Sequence, residues 1–241
     1  QYDWTSNFET NIKIMRLMGL WPSGPHTYKM GFYMVYSGCL ITTFVVCLIS
    51  LQIIELYFVR DDLESFVGIL YTLPIGLVAL CKVYYVVTNM AVFKSCIKSL
   101  KCSSFQPRNL KQRSLIEPSI KFWKSVYNVF LIMAVVCNTF WIIYPILDSS
   151  PDEKRLPFLA WFPYDYKTSP LYELTFAFEI LTTNYLTLVH VNTDFIIFGL
   201  NVCAGCQFDM LSDNLRNFSN FSSNATNDLV TCIIYHKRIL R

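Results

Sequence analysis

The chain has 241 residues, of which 54% are hydrophobic and 15% charged, with a mean hydropathy of +0.37 and a formal net charge of +3. Soluble domains carry about 25% charge, and the apolar residues here are clustered, so composition excludes an ordinary soluble core. The apolar runs are continuous rather than alternating, which excludes a β-barrel in favour of helices.

A bilayer-spanning helix needs roughly 20 mostly apolar residues. Four stretches qualify: about 30–54, 66–93, 126–147 and 171–206. The fold class expected is an all-α polytopic membrane protein. Residues 1–29 hold charges and Trp without a signal-peptide pattern, and the first apolar run is too long for a signal h-region. The chain begins at Gln1 and ends in Tyr235–His236–Lys237–Arg238–Ile239–Leu240–Arg241, which reads as the middle of an amphipathic helix without a stop signal. A longer parent chain is therefore expected.

Charge sets the expected orientation. The segment 94–124 holds Lys94, Lys98, Lys101, Arg108, Lys111, Arg113, Lys121 and Lys124 against Glu117 alone. The loop 55–65 holds Glu55, Asp61, Asp62 and Glu64 against Arg60, and the stretch 148–173 holds Asp148, Asp152, Glu153, Asp165 and Glu173 against Lys154, Arg155 and Lys167. Lys and Arg near helix ends mark the cytoplasmic side. Segments 1–29, 94–124 and 207–241 are then cytosolic, and loops 55–65 and 148–170 extracellular. The basic run reads as a juxtamembrane patch, and no nucleic-acid partner is expected.

None of the nine cysteines lies in an outer loop, so no extracellular disulfide is expected. Cys203–Ala204–Gly205–Cys206 has no second pair to complete a zinc site, and no metal or cofactor is expected. The sequons at Asn217, Asn220 and Asn224 fall on the cytosolic side and are expected to carry no glycan. Enzyme motifs such as G-x-S-x-G, H-E-x-x-H and the P-loop are absent.

Ionisable residues at membrane depth are functional candidates. The second span carries Lys82, roughly 18 Å from the basic boundary at Lys94 at the helical rise. The fourth span carries Glu179, His190 and Asp194, the last two on one face. A Lys82–Asp194 pair or a shared polar cavity is expected, against the plainer reading of a buried pair that only fixes helix packing. The third span places Ala134, Cys137, Trp141 and Tyr144 on one face. The second begins with Val67, Leu70 and Tyr71, followed by Pro74 and Gly76, and the fourth adds Phe176, Glu179 and Thr183. Small residues beside aromatics on three helices suit an apolar pocket, although such a stripe also serves plain packing.

Between the third and fourth spans lies Leu156–Pro157–Phe158–Leu159–Ala160–Trp161–Phe162–Pro163–Tyr164–Asp165–Tyr166, then Ser169–Pro170–Leu171–Tyr172–Glu173. With Met18–Gly19–Leu20–Trp21–Pro22, the basic second intracellular segment, Gly205–Cys206–Gln207–Phe208–Asp209–Met210–Leu211 and Asn214–Leu215–Arg216, it resembles the insect odorant receptors. The resemblance covers the chain but only four of the family's seven helices. It implies a ligand-gated cation channel subunit, tetrameric, built with a shared co-receptor in the plasma membrane of sensory neurons. It implies a small volatile odorant in an outer-half pocket, and by position Val67, Leu70, Tyr71, Ala134, Cys137, Trp141, Phe176 and Glu179 become its candidates. Pore and gate residues belong to helices outside this chain. Trp161, Phe162 and Tyr164 are expected to pack over the ends of the third and fourth spans as a lid. The alternatives are a gustatory receptor, or a transporter using Lys82, His190 and Asp194.

Overall fold

The computed structural model describes residues 2–24, 31–148, 155–217 and 225–240. His26, Lys29, Asp152, Glu153, Lys154, Asn220, Asn224 and Arg241 lie outside the described residues.

Among the described residues the regular structure is helical. After a 3₁₀ turn (Thr5–Phe8) come α1 (Glu9–Leu17), α2 (Phe32–Phe58), α3 (Leu63–Thr88), α4 (Met90–Ser99), a second 3₁₀ turn (Ser103–Phe105), α5 (Leu110–Asp148), α6 (Leu171–Arg216) and α7 (Ala225–Ile239). Four of these, α2, α3, α5 and α6, are long and apolar enough to cross a membrane. The apolar face of α5 stays uncovered: Phe130, Ile132, Met133, Val136 and Phe140 are all exposed. In water such a surface would be untenable, whereas in hydrocarbon it carries no penalty, which is why α5 can be so little buried.

Helix ends follow local chemistry that the apolar runs do not report. The second run continues to about 93, but α3 stops at Thr88. Thr88 Oγ1 donates to the Tyr84 carbonyl at 2.7 Å and Asn89 Nδ2 to that of Tyr85 at 2.9 Å. These side chains compete with the backbone ladder, and α4 starts afresh at Met90. α5 begins at Leu110, well before the apolar run at about 126, because Asn109 caps it by accepting the Gln112 N–H at 2.8 Å. At 39 residues α5 is about 58 Å long, and α6 with 46 is about 69 Å, so each outruns a bilayer core of roughly 30 Å. α2 contains a π-helical stretch at Thr42–Val46.

The chain divides into two compact units. One comprises Gln1–Asn11, Val92–Val129 and Asp194–Arg241. Its core is aromatic: Phe8 and Trp123 have ring centroids 5.1 Å apart, Trp123 stacks on Tyr127, and Tyr127 meets Phe195 at 5.3 Å. Gly199 sits against this cluster. Lys111 binds the Asp213 carboxylate at 2.9 Å, and Gln112 Nε2 donates to Asp213 and Asn214 at 3.2 and 2.8 Å, tying the start of α5 to the end of α6. The Tyr235 hydroxyl donates to Gln207 Oε1 at 2.6 Å, attaching α7 to α6.

The other unit comprises Ile12–Ala91 and Phe130–Thr193. The Met18–Gly19–Leu20–Trp21–Pro22 segment acquires a physical meaning here. Gly19 has φ +77°, and a Cβ there would lie 2.8 Å from Ser37 Cα. Only glycine permits both that backbone conformation and that approach to α2. Around it Met18, Leu20 and Trp21 are buried, and the Tyr185 hydroxyl donates to the Met18 carbonyl at 3.0 Å.

Candidate functional site

The second unit contains a cavity of about 340 Å³ between α3, α5 and α6. From α3 it takes Tyr71, Thr72 and Ile75, from α5 Ala134, Cys137, Asn138 and Trp141, and from α6 Thr183, Leu186, Thr187, His190 and Val191. The outer loop contributes Phe158. Tyr71 stacks on Trp141 at 6.3 Å, and Trp141 meets Phe158 at the same centroid distance. The walls are mainly apolar and aromatic with few polar groups, the usual composition of a small-molecule pocket.

The polar groups are held in fixed orientations. The His190 ring donates from Nε2 to the Ile75 carbonyl at 3.1 Å. Asn138 Nδ2 donates to Asn184 Oδ1 at 3.0 Å. Thr72 accepts from Gln52 Nε2 at 2.8 Å, and Gln52 is fully buried, so α2 supports the α3 wall from behind. The Thr183 hydroxyl donates to the Glu179 carbonyl at 2.7 Å. What remains for a ligand is mostly aromatic face and aliphatic surface, a site suited to shape and dispersion rather than charge.

Five of the residues expected at a pocket come together here: Tyr71, Ala134, Cys137, Trp141 and Thr183. Val67, Leu70 and Phe176 are not among the lining residues, and Val67 and Leu70 are exposed. Glu179 does not line the cavity either. It is fully buried, and its Oε2 accepts the Phe158 N–H at 2.9 Å. Its other oxygen, Oε1, has no hydrogen-bond partner among the described residues. Glu179 thus fixes the loop residue that forms a cavity wall. Phe158, Asn138 and Thr187 were missed by sequence reasoning. The aromatic loop pointed to the right segment, but helical periodicity says nothing about which loop residue turns inward.

The expected lid divides three ways. Trp161 reaches α2: its backbone N–H donates to the Leu51 carbonyl at 3.2 Å and its ring stacks on Phe58 at 6.3 Å. The backbone bond fixes that choice, because Leu51 offers a carbonyl where the loop needs an acceptor. Tyr164 does reach α6, its hydroxyl lying 2.9 Å from Thr175 Oγ1. Phe162 packs between Tyr164 and Tyr166 at 5.7 and 5.9 Å. Burial pushes the Tyr166 phenol above its ordinary range, and the Glu55 and Glu179 carboxylates push it in the same direction. His190 joins the cavity wall, whereas Lys82 belongs to the second unit and Asp194 to the first. Their pairing remains a proposal.

Comparison with known proteins adds the lineage. Residues 62–241 match the family model described as 7tm odorant receptor. Odorant receptor Or1 of Anopheles gambiae is 25% identical over 205 residues, which are 83% of this chain and 47% of that protein. The insect olfactory receptor OR5 from Machilis hrabei, solved in complex with eugenol, superposes with a TM-score of 0.74 at 18% identity, covering 99% of this chain and 64% of that one. A second OR5 structure gives a TM-score of 0.72. The chain spans about half the length of the curated relative it matches. The structural likeness gives the fold, a multi-pass membrane architecture, while the family model covers most of the sequence and describes receptors rather than enzymes. The chain belongs to the insect odorant receptor family.

Proposed function

We propose that this chain is the ligand-binding part of an odorant-gated cation channel subunit, and that the cavity walled by Tyr71, Trp141 and Phe158 receives the odorant. The observation that carries this reading is the cavity itself. About 340 Å³, mostly apolar and lined by three converging aromatics, suits a small volatile molecule of the kind that eugenol represents in OR5. Closure of the walls around a ligand shifts the α3, α5 and α6 positions and biases a closed-to-open equilibrium. The membrane arrangement proposed with it has a cytoplasmic N-terminus and outer loops at 55–65 and 148–170, supported by the basic run 94–124. The assembly is a tetramer with the co-receptor subunit in the plasma membrane of sensory neurons, and pore and gate lie in the family's later helices. The odorant receptor family match favours this reading over a gustatory receptor or a transporter.

In the full-length receptor expressed with its co-receptor, Trp141→Ala should raise the half-maximal agonist concentration about ten-fold or more, because aromatic anchors of this kind contribute upwards of about 1.4–2 kcal/mol. Surface expression should change little, since Trp141 is 39% exposed. Equal losses of response and surface expression would mark Trp141 as a packing residue and count against the pocket.

A further inference from the structure

The first unit holds a second, smaller cavity at the junction of the 103–112 segment, the end of α6 and α7. Its volume is about 90 Å³, room for about three waters at ~30 Å³ each, or one tetrahedral oxyanion. Its polar lining comes from Ser104, Gln106, Arg108, Gln112, Asn214, Thr231, Tyr235 and Arg238. No acidic side chain lines it among the described residues.

The charge balance is the informative part. In the same segment Lys111 is paired with Asp213, and Arg113 and Lys121 share Glu117. Arg108 and Arg238 have no carboxylate partner among the described residues, although both stand at the same cavity. Arg238 is exposed, and its Nη1 donates to the Ser104 hydroxyl across 134 residues of sequence. The Arg108 backbone N–H is held by Gln112 Oε1 at 2.9 Å, and Gln112 is itself buried and anchored to Asn214. The Asp213 carboxylate behind Gln112 is already engaged by Lys111. Two arginines lining one cavity without an acidic side chain among its described lining suit an oxyanion, because a guanidinium fork offers parallel N–H donors to its oxygens. We propose that this cavity binds a phosphate group, with Arg108 and Arg238 as its cationic clamp and Ser104 as a hydroxyl contact.

Two sources carry that chemistry: a free phosphate or soluble phosphate ester, and the headgroup of a phosphoinositide. Assigning the second to the inner leaflet rests on the cytoplasmic orientation proposed above; phosphate binding by the purified protein does not.

The test uses full-length receptor reconstituted in phosphatidylcholine nanodiscs, with thermal stabilisation as the readout. One arm adds inorganic phosphate or inositol trisphosphate. The other includes phosphatidylinositol bisphosphate in the bilayer. Saturable stabilisation is expected in at least one arm, and its half-point should rise ten-fold or more in Arg108→Gln and in Arg238→Gln. Lys121→Gln, which removes a charge from the same segment away from the cavity, should leave it within two-fold. Arg238→Lys keeps the charge without the fork and should fall between. Response in the first arm assigns a soluble ligand, and response in the second alone assigns the lipid headgroup. No stabilisation in either arm, or an equal shift in Lys121→Gln, overturns the proposal. Should either arginine variant fail to fold, displacement of radiolabelled phosphate from the wild-type receptor by inositol trisphosphate, but not by chloride at equal ionic strength, replaces it as the deciding measurement.

Discussion

Gly199→Ala should deprive the receptor of most of its surface expression, whereas Gly205→Ala, less than two turns along the same helix, should be tolerated. Both glycines lie in the interior of α6, and both substitutions gain the same helix propensity, about 1 kcal/mol. Their surroundings differ. A Cβ at Gly205 meets nothing within 4 Å. A Cβ at Gly199 would lie 2.6 Å from Phe8 Cε1 and 2.6 Å from Trp123 Cζ2, where carbon atoms in contact prefer about 3.5–4.0 Å. Neither ring can retreat easily. Both are buried, they pack on each other, and Trp123 is backed by Tyr127 and that in turn by Phe195. Overpacking of this kind costs about 1–3 kcal/mol or more. The paired variants, measured by surface labelling and by melting of the purified receptor, isolate the clash from propensity. Equal behaviour of the two would show that the aromatic cluster yields to a methyl group.

The second large effect is expected at Glu179. Glu179→Ala removes the acceptor of the Phe158 N–H, leaves a buried backbone donor unsatisfied and opens a void. The orphaned donor alone costs about 1–3 kcal/mol. Because Phe158 is both the anchored residue and a wall of the cavity, this local loss becomes a functional one. Hydrogen exchange across residues 155–166 should accelerate by at least ten-fold, and the agonist response should fall with it. Glu179→Gln keeps a carbonyl oxygen at nearly the same place and should preserve both. If Gln behaves as Ala does, the carboxylate charge matters rather than the hydrogen bond to the loop. If neither changes exchange, Glu179 does not anchor the loop.

These two positions show what was legible in the sequence and what was not. The four spans, the all-helical class and the family resemblance follow from long apolar runs and from quoted motifs, because a bilayer imposes a length on any helix that crosses it. The face Ala134–Cys137–Trp141 was legible because helical periodicity alone puts these residues together. Glu179 was legible as an unusual residue at membrane depth, but not its role. A carboxylate that satisfies a loop N–H looks in sequence like one that meets a ligand. The break at Asn89 was hidden for a similar reason. Thr88 and Asn89 sit in an apolar run, and only their hydrogen bonds to Tyr84 and Tyr85 end the helix. The contact of Trp161 with α2 was not legible because a loop's partners depend on backbone bonds, here to Leu51, that leave no periodic trace.

The cavity is also the place where the account is tested most directly. Cys137 lines it, whereas Cys81, an exposed thiol on α3, does not. The full-length receptor with its co-receptor, in membranes, is treated with a small apolar maleimide, with and without the volatile that evokes the largest current in a screened panel. Mass spectrometry then follows alkylation at both cysteines. An odorant seated between Tyr71, Trp141 and Phe158 should slow alkylation of Cys137 several-fold and leave Cys81 unchanged. Equal alkylation of Cys137 with and without a saturating agonist would contradict the assignment of this cavity as the odorant site.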